Sequence, residues 1–181
     1  MIIRDLIKNN NLEEIFTNVK IGLEKEGQRI LEDGTISKTD HPKVFGVRHE
    51  NPYIQTDFAE SQVELITTPE TSEKDVLRVL NAVHEVTLKN MPADEFIWPL
   101  SIPAILPDEK DIRVAQFEKK FDVEYREYLV KKYGKYKQMV SGIHYNFQLD
   151  DKFMEKISEI TKKNLVSVKN EIYLKLSRQF I

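Results

Sequence analysis

Two acidic residues, Glu24 and Glu26, stand one residue apart in the segment IGLEKEGQRI. Because side chains alternate along a β-strand, a strand over 21–30 would place both carboxylates on one face and Lys25 on the other. Their Cα atoms would then lie roughly 7 Å apart, a separation at which two charges repel by about 2 kcal/mol at an effective dielectric constant of about 20. We therefore expect a cation to offset them. The plain alternative is a solvent-facing edge strand whose carboxylates are only hydrated.

Two further segments, 56–67 and 139–149, show the same alternation of apolar and polar residues. Each predicts a strand with one apolar face and one face of carboxylate, imidazole or amide groups. The groups on the polar faces are Glu60, Gln62 and Glu64 in the first segment and His144, Asn146 and Gln148 in the second. If the three strands lie in one sheet, their polar faces form a single site.

The donor types of these segments suit a hard divalent cation. Carboxylate oxygens with one imidazole favour Mg²⁺ or Mn²⁺ over zinc or copper. Because Mg²⁺ usually completes its shell with water and phosphate oxygens, a nucleotide phosphate is the expected substrate group. The sequence contains no GxxxxGK[ST] loop and no GxGxxG fingerprint, so neither a P-loop nor a dinucleotide-binding fold is predicted. The residues alone indicate a metal-dependent site on an antiparallel sheet.

Composition excludes several classes of protein. With 181 residues, 40% of them hydrophobic and 31% charged, the chain is typical of one soluble globular domain. The formal net charge of -3 gives no field that would recruit nucleic acid or an anionic membrane. The absence of cysteine excludes a disulfide scaffold, a thiolate zinc site and a cysteine nucleophile. No apolar run resembles a signal peptide or a membrane span, and we expect a cytoplasmic protein.

Four segments have the apolar periodicity of amphipathic helices: 72–91, 117–133, 150–163 and 165–181. The second carries an aromatic stripe, which we interpret as core, and Gly134 is placed to end it. His41 has no recognisable ligand spacing and is interpreted as a surface residue. With the three strands, these helices predict an α+β fold in which helices flank an antiparallel sheet, and no linker divides the chain.

Four stretches resemble the glutamate-cysteine ligase (γ-glutamylcysteine synthetase) family: GLEKEGQRI, TDFAESQVELIT, WPLSIP and YREYLVKKYGKYKQMVSGIHYNFQL. The resemblance is to the bacterial form, which occurs alone or as the N-terminal part of bifunctional glutathione-synthesising proteins. It implies a glutamine-synthetase-like fold, with residues 1–181 as the N-terminal part of a catalytic domain that is incomplete at its C-terminus. The implied reaction is ATP-dependent. The γ-carboxyl of L-glutamate becomes γ-glutamyl phosphate, and the amine of L-cysteine displaces the phosphate, in the first step of glutathione biosynthesis.

The resemblance also implies roles for individual residues. Positions that hold Mg²⁺ (or Mn²⁺) in the family are matched by Glu24, Glu26, Asp57, Glu64 and His144. Of these, Glu24, Glu26 and His144 are the expected catalytic groups, and Glu24 and Glu26 with Asn146 are expected beside the metal-bound ATP. Positions around the cysteine substrate are matched by Phe58, Tyr125, Arg126, Leu129 and Gln138. Tyr125 and Leu129 fit the apolar stripe of their helix equally well.

Family members are considerably longer than this chain, and further metal, glutamate and ATP contacts lie beyond residue 181 in them. We therefore expect the isolated chain to be inactive and to self-associate through exposed sheet edges. The alternative function is a catalytically inactive remnant, at most a Mg²⁺-nucleotide binding module. A third possibility keeps the fold and changes the amine acceptor, although YGKYKQMVSGIHYN favours cysteine.

Overall fold

The acidic stretch over 21–30 forms the central strand of a sheet, as its alternation predicts. The computed structural model describes residues 3–179, and five strands make up the sheet in that part of the chain. Their bounds are β1 (Val19–Ile30), β2 (Ile54–Thr56), β3 (Gln62–Ile66), β4 (Phe96–Ile97) and β5 (Ile143–Leu149). The order is β2-β3-β1-β4, and β5 also pairs with β1. The predicted antiparallel sheet is confirmed.

In the described part of the chain six α-helices accompany the antiparallel sheet, which confirms the predicted α+β fold class. Their bounds are α1 (Ile3–Asn9), α2 (Glu13–Thr17), α3 (Glu73–Asn90), α4 (Lys120–Tyr133), α5 (Asp151–Thr161) and α6 (Leu165–Ser177). The helix predicted over 165–181 is α6, and Phe180 and Ile181 lie outside the described residues. Within residues 3–179, each helix is too short or too polar to cross a bilayer.

Helix α3 covers one face of the sheet. It begins at the predicted cap, where the Ser72 hydroxyl oxygen accepts a hydrogen bond from the Asp75 N–H. Apolar residues of α3 and of the odd-numbered face of β3 pack in one cluster with those of β2 and neighbouring loops. This cluster consists of Phe45, Ile54, Val63, Leu65, Leu80, Val83, Met91 and Ile97. The even-numbered face of β1 and β3 is thereby left to polar groups.

Strand register sets those polar groups against each other. Glu26 lies opposite Glu64, and Gln28 lies opposite Gln62. Directly opposite residues in an antiparallel pair point to the same face, with Cβ atoms about 5 Å apart. Two carboxylates and two amides therefore meet on one side of the sheet.

Segment 56–67 does not form one strand, so that prediction is wrong. β2 and β3 are separate antiparallel strands, and residues 57–61 turn between them. The Asp57 N–H donates to the Gln62 carbonyl at 3.2 Å, and the Gln62 N–H donates to the Ala59 carbonyl at 2.8 Å. These bonds close the turn, and Glu60 consequently leaves the polar face that alternation assigned to it.

Glu60 is buried instead and joins three loops. Its Oε1 accepts hydrogen bonds from the His41 N–H and from Arg48, and its Oε2 accepts one from the Gln116 N–H. His41 is also buried, which corrects the predicted surface position, and its Nδ1 lies 2.8 Å from the Thr56 hydroxyl. Burial, helped by the charge of Arg48, lowers the pKa of His41 to about 4. The ring is therefore neutral at pH 7.

Helix α4 ends as predicted, at Gly134 with a φ of 77°. Its aromatic stripe is not core, however, because Phe121 is 76% exposed and Tyr125 is 51% exposed. Steps of four residues advance by 400° around a helix of 3.6 residues per turn, so such a stripe drifts by about 40° at each step. The residues that pack inward are Leu129 and Val130, against a cluster around Phe58, Ala59, Ile112 and Met139.

The chain divides into two compact units. One unit spans residues 22–146, and the other combines the two terminal segments, up to residue 21 and from residue 147 onward. The terminal unit has its own core, formed by Ile7, Leu12, Leu149, Phe153, Met154, Ile157, Val168 and Ile172. The assignment of the chain as the N-terminal part of one catalytic domain stays a prediction.

A buried ion pair holds the 57–61 turn from the odd-numbered face of β1. The Arg29 guanidinium is 1% exposed and donates through Nη1 to Glu95 at 2.7 Å. Through Nη2 it donates to the carbonyls of Thr39 and Glu60. The Ser37 hydroxyl donates to the second oxygen of Glu95 at 2.6 Å. Because both charges are desolvated, each depends on the other for compensation.

Arg29→Met should therefore destabilise the fold strongly, since Glu95 would stay buried without its cation. We expect a loss of about 3–5 kcal/mol in the free energy of unfolding, measured by urea denaturation at pH 7. The matched control is Arg113→Met, which removes an exposed pair with Asp40 and should change stability far less. Equal losses in the two variants would contradict this assignment.

Candidate active site

The imidazole of His144, on β5, lies between the two carboxylates of β1. Its Nδ1 is 3.5 Å from Glu24 Oε2, and its Nε2 is 3.3 Å from Glu26 Oε1. The pairing of β5 with β1 makes this possible, because it carries a residue 118–120 positions away in sequence to the same sheet face. The ring is 56% exposed, whereas the Glu26 side chain is 7% exposed. The predicted trio of catalytic groups is therefore brought together.

Asn146 and Gly142 extend this junction on either side of the histidine. The Asn146 amide donates to Glu24 Oε1 at 2.8 Å. The Gly142 N–H donates to Glu26 Oε2 at 2.8 Å, and the Glu26 N–H donates to the Gly142 carbonyl at 3.0 Å. Each carboxylate of β1 thus has one oxygen bound by a donor and the other turned toward the imidazole.

Glu64 and Asp57 add negative charge to the same face. Burial, together with the negative charges of Asp57, Glu24 and Glu26, raises the pKa of Glu64 to about 7. Burial also raises the pKa of Asp57, against the opposing effect of Arg126. These mutual effects mean that the four carboxylates occupy one electrostatic neighbourhood.

The cations near this neighbourhood compensate only part of its charge. Lys25 points to the other face of β1, as alternation predicts, and burial lowers its pKa. The positive charge of Arg126 interacts more strongly with Asp57 than with Glu64. His144 offsets negative charge only when it is protonated. A hard divalent cation would supply the missing positive charge, so the donor chemistry fits Mg²⁺ or Mn²⁺.

The donors do not form a closed metal cage as they stand. Across residues 3–179, no three His, Asp or Glu side chains converge closely enough to hold a metal ion. The five ligands that the resemblance implies therefore stay predictions: Glu24, Glu26, Asp57, Glu64 and His144. The position of each is consistent with a cation that is held by a few carboxylates and completed by other oxygens.

The residues predicted around the cysteine substrate fall into two groups. Phe58 is 2% exposed and packs with the half-buried Leu129, so both serve the core here. Tyr125 is 51% exposed, and Gln138 is half-buried in the short 3₁₀ turn over 136–139. Arg126 lies nearest to the acidic face, because its Nε donates to the Asp57 carbonyl at 2.8 Å. Substrate contact by these residues stays a prediction.

Phe117 was not singled out as a site residue, yet it orients Arg126. The guanidinium carbon of Arg126 lies 3.7 Å from the centre of the Phe117 ring, a cation–π contact. Phe117 precedes α4, and its place in the helical stripe hid this role. Gly142, which binds Glu26, was also missed, because a backbone donor leaves no spacing signal. Alternation placed Gln62 on the polar face, but its bond to Glu26 was not predicted.

The fold and the site together define a class: an α+β protein whose antiparallel sheet carries an acidic face. The family model described as glutamate-cysteine ligase matches residues 4–181. The chain belongs to the glutamate-cysteine ligase family, as the resemblance in its motifs implied.

Relatives of known name agree with this assignment. The chain is 51% identical over 183 residues to the glutathione biosynthesis bifunctional protein GshAB of Mannheimia succiniciproducens, covering 100% of this chain and 24% of that protein. It is 44% identical over 169 residues to the glutamate–cysteine ligase of Clostridium acetobutylicum, covering 88% and 34% respectively. The chain thus spans about a quarter of the length of the bifunctional relatives that it matches.

Solved structures share the fold. A bifunctional glutathione synthetase from Pasteurella multocida superposes with a TM-score of 0.89 at 50% identity, over 98% of this chain and 24% of that one. The glutamate–cysteine ligase of Francisella tularensis, in complex with AMP, gives a TM-score of 0.76 at 33% identity, over 82% and 30%.

The raised pKa of Glu64 predicts a specific pH dependence of stability. In the unfolded chain this carboxyl loses its proton near pH 4.5, whereas in the fold it keeps the proton until about pH 7. The folded state therefore binds more protons between these values, and the stability that Glu64 contributes is lost as pH rises from about 4.5 to 7. In EDTA, Glu64→Gln should remove this loss and stabilise the protein at pH 8 by on the order of 2 kcal/mol.

Urea denaturation at pH 4.5 and pH 8 would measure the effect, with the difference from wild type taken at each pH. The control is Glu85→Gln, which makes the same chemical change on the exposed surface of α3. A gain for Glu64→Gln that is equal at both pH values would show that the fold does not raise the pKa of Glu64.

Proposed function

We propose that this chain contributes to an active site that ligates L-glutamate to L-cysteine with ATP, through γ-glutamyl phosphate, in glutathione biosynthesis. One observation carries the proposal. The carboxylates of Glu24 and Glu26 lie within 3.5 Å of a single imidazole on a face where acidic neighbours help to raise the pKa of Glu64 to about 7. Such a concentration of partly compensated carboxylates suits cations that bind phosphate.

The residues proposed to hold Mg²⁺ or Mn²⁺ are Glu24, Glu26, Asp57, Glu64 and His144. When bound, the metal would neutralise charge on the phosphates of ATP and on the transferring group. The task of the chain's own residues is placement. Asn146 fixes one oxygen of Glu24, and Gly142 fixes one oxygen of Glu26, so the carboxylates are held before any ligand arrives.

Arg126 is the proposed contact for the carboxylate of the cysteine substrate. A guanidinium presents a planar fork of donors that matches a carboxylate better than an ammonium does. Its stacking on Phe117 and its bonds to the carbonyls of Asp57 and Asp122 restrict its orientation. Tyr125 and Gln138 are at least partly exposed to solvent. They are proposed to line the same subsite, together with Phe58 and Leu129.

A Mg²⁺-nucleotide binding module without ligase activity is the second candidate. The observation in its favour is that the acidic groups gathered around His144 require only a cation and its phosphates as partners. On this reading the acidic face would bind the cation and its phosphates, and glutamate and cysteine would not be joined.

The decisive substitution is Glu24→Gln, which keeps the size of the side chain and removes one ligand charge. We expect it to weaken Mn²⁺ binding by the 181-residue chain about tenfold or more, measured by electron paramagnetic resonance of free Mn²⁺. In the protein expressed from the full reading frame, it should abolish Mg²⁺-dependent ADP release that requires both glutamate and cysteine. The control Glu85→Gln should leave both properties at the wild-type level.

The two candidates give different results. ADP release that depends on both amino acids and on Glu24 supports the ligase. Mn²⁺ binding that depends on Glu24, without ADP release by the protein expressed from the full reading frame, supports the binding module. Mn²⁺ binding that is unaffected by Glu24→Gln would overturn both.

A further inference from the structure

Two buried glutamines lie beside the carboxylates on the acidic face of the sheet. Gln28 on β1 and Gln62 on β3 are each 0% exposed and lie directly opposite one another in the sheet. A primary amide is rarely retained at such depth without partners, because each unbonded polar atom there would cost about 1–3 kcal/mol. The hydrogen-bond partners of these two amides therefore indicate what each glutamine does.

Gln62 binds the carboxylate of Glu26. Its Nε2 lies 3.3 Å from Glu26 Oε2, and 3.4 Å from both the Val140 carbonyl and the Ser141 hydroxyl. Its Oε1 accepts a hydrogen bond from the Ala59 N–H at 3.4 Å. The amide is held by the 57–61 turn on one side and by residues 140–141 on the other, so its donor group faces Glu26.

The two oxygens of Glu26 are consequently in different environments. Oε2 receives both the Gln62 amide at 3.3 Å and the Gly142 N–H at 2.8 Å. Oε1 faces the imidazole of His144 at 3.3 Å. Gly142 suits this arrangement because a Cβ at its position would come within 3.3 Å of the same imidazole. A carboxylate bound in this way cannot rotate without breaking hydrogen bonds in a buried setting.

We propose that Gln62 is a positioning residue that, with the Gly142 N–H, binds one oxygen of Glu26 and so turns the other toward the acidic face to receive a cation. The inference rests on the proposed function, since it assigns Glu26 as a metal ligand. Hydrogen-bond donors to a metal-ligating side chain fix its orientation, so less conformational entropy is lost when the metal binds. Loss of such donors typically weakens metal affinity 10–100-fold.

Gln28 provides an internal comparison. Its Nε2 donates to the Met139 carbonyl at 3.1 Å, and its Oε1 accepts from the Ser61 hydroxyl at 2.7 Å. It is equally buried and links the same two segments, residues 57–61 and 139–142, yet the hydrogen bonds of its side chain do not involve Glu26. A purely structural role would make the two glutamines equivalent.

The test compares Gln62→Met with Gln28→Met, which remove a buried amide of similar size from opposite positions in the sheet. The first readout needs no metal: the hydrogen exchange rate of the Gly142 amide, measured by NMR in EDTA. We expect about fivefold to tenfold faster exchange in Gln62→Met, because the Glu26 carboxylate would be free to turn away, and little change in Gln28→Met. The second readout is Mn²⁺ affinity, which should fall about tenfold in Gln62→Met alone.

Unequal effects on both readouts support the proposal. Equal effects of the two variants on Gly142 exchange, or on Mn²⁺ affinity, would overturn it. If the wild-type chain binds no Mn²⁺ but Gly142 exchange still responds only to Gln62, the positioning of Glu26 stands and the metal-binding function of this chain fails. If Gln62→Met does not fold, Gln62→Leu is used in its place, with Gln28→Leu as the control.

Discussion

Repulsion among carboxylates on one face of the sheet is the constraint on which the rest of the structure depends. Glu26 and Glu64 lie opposite one another, and the charges of Glu24 and Asp57 reach both. A fold could avoid this cost by spreading the acids or by pairing each with a lysine or arginine. Here Lys25 points away, and Arg126 is shared. The surrounding elements must therefore hold the acids together against their own repulsion.

The odd-numbered side of the sheet supplies that support. α3 and the apolar cluster beneath β3 fix the strands, and the buried pair of Arg29 and Glu95 fixes the turn that carries Asp57. Glu60, in the same turn, is bound by two residues of the β1–β2 connection and by Gln116. A buried charge network contributes little net stability compared with apolar packing, but it specifies one arrangement of the groups it joins. In this protein the network specifies the conformation of the turn from β2 to β3, which carries Asp57.

Hydrogen bonds to the carboxylates of β1 organise this site. Asn146, Gly142 and Gln62 each bind an oxygen of Glu24 or Glu26, and in doing so select which oxygen is presented. The proposed ligation with ATP would give this geometry a chemical purpose, because the charge on several phosphates would have to be neutralised at fixed positions. The described residues supply the oriented donors.

The sequence by itself determined the local features: the acidic strand, the shared face of Glu24 and Glu26, the cap of α3 at Ser72 and the end of α4 at Gly134. Each follows from side-chain alternation or from backbone preferences, which act over a few residues. Only the tertiary structure decided that Glu60 and His41 are buried, that the aromatics of α4 are exposed, and that Gln62 and Gly142 meet Glu26. Those outcomes depend on strand register and on contacts between residues as many as 116 positions apart, for which a local pattern carries no information.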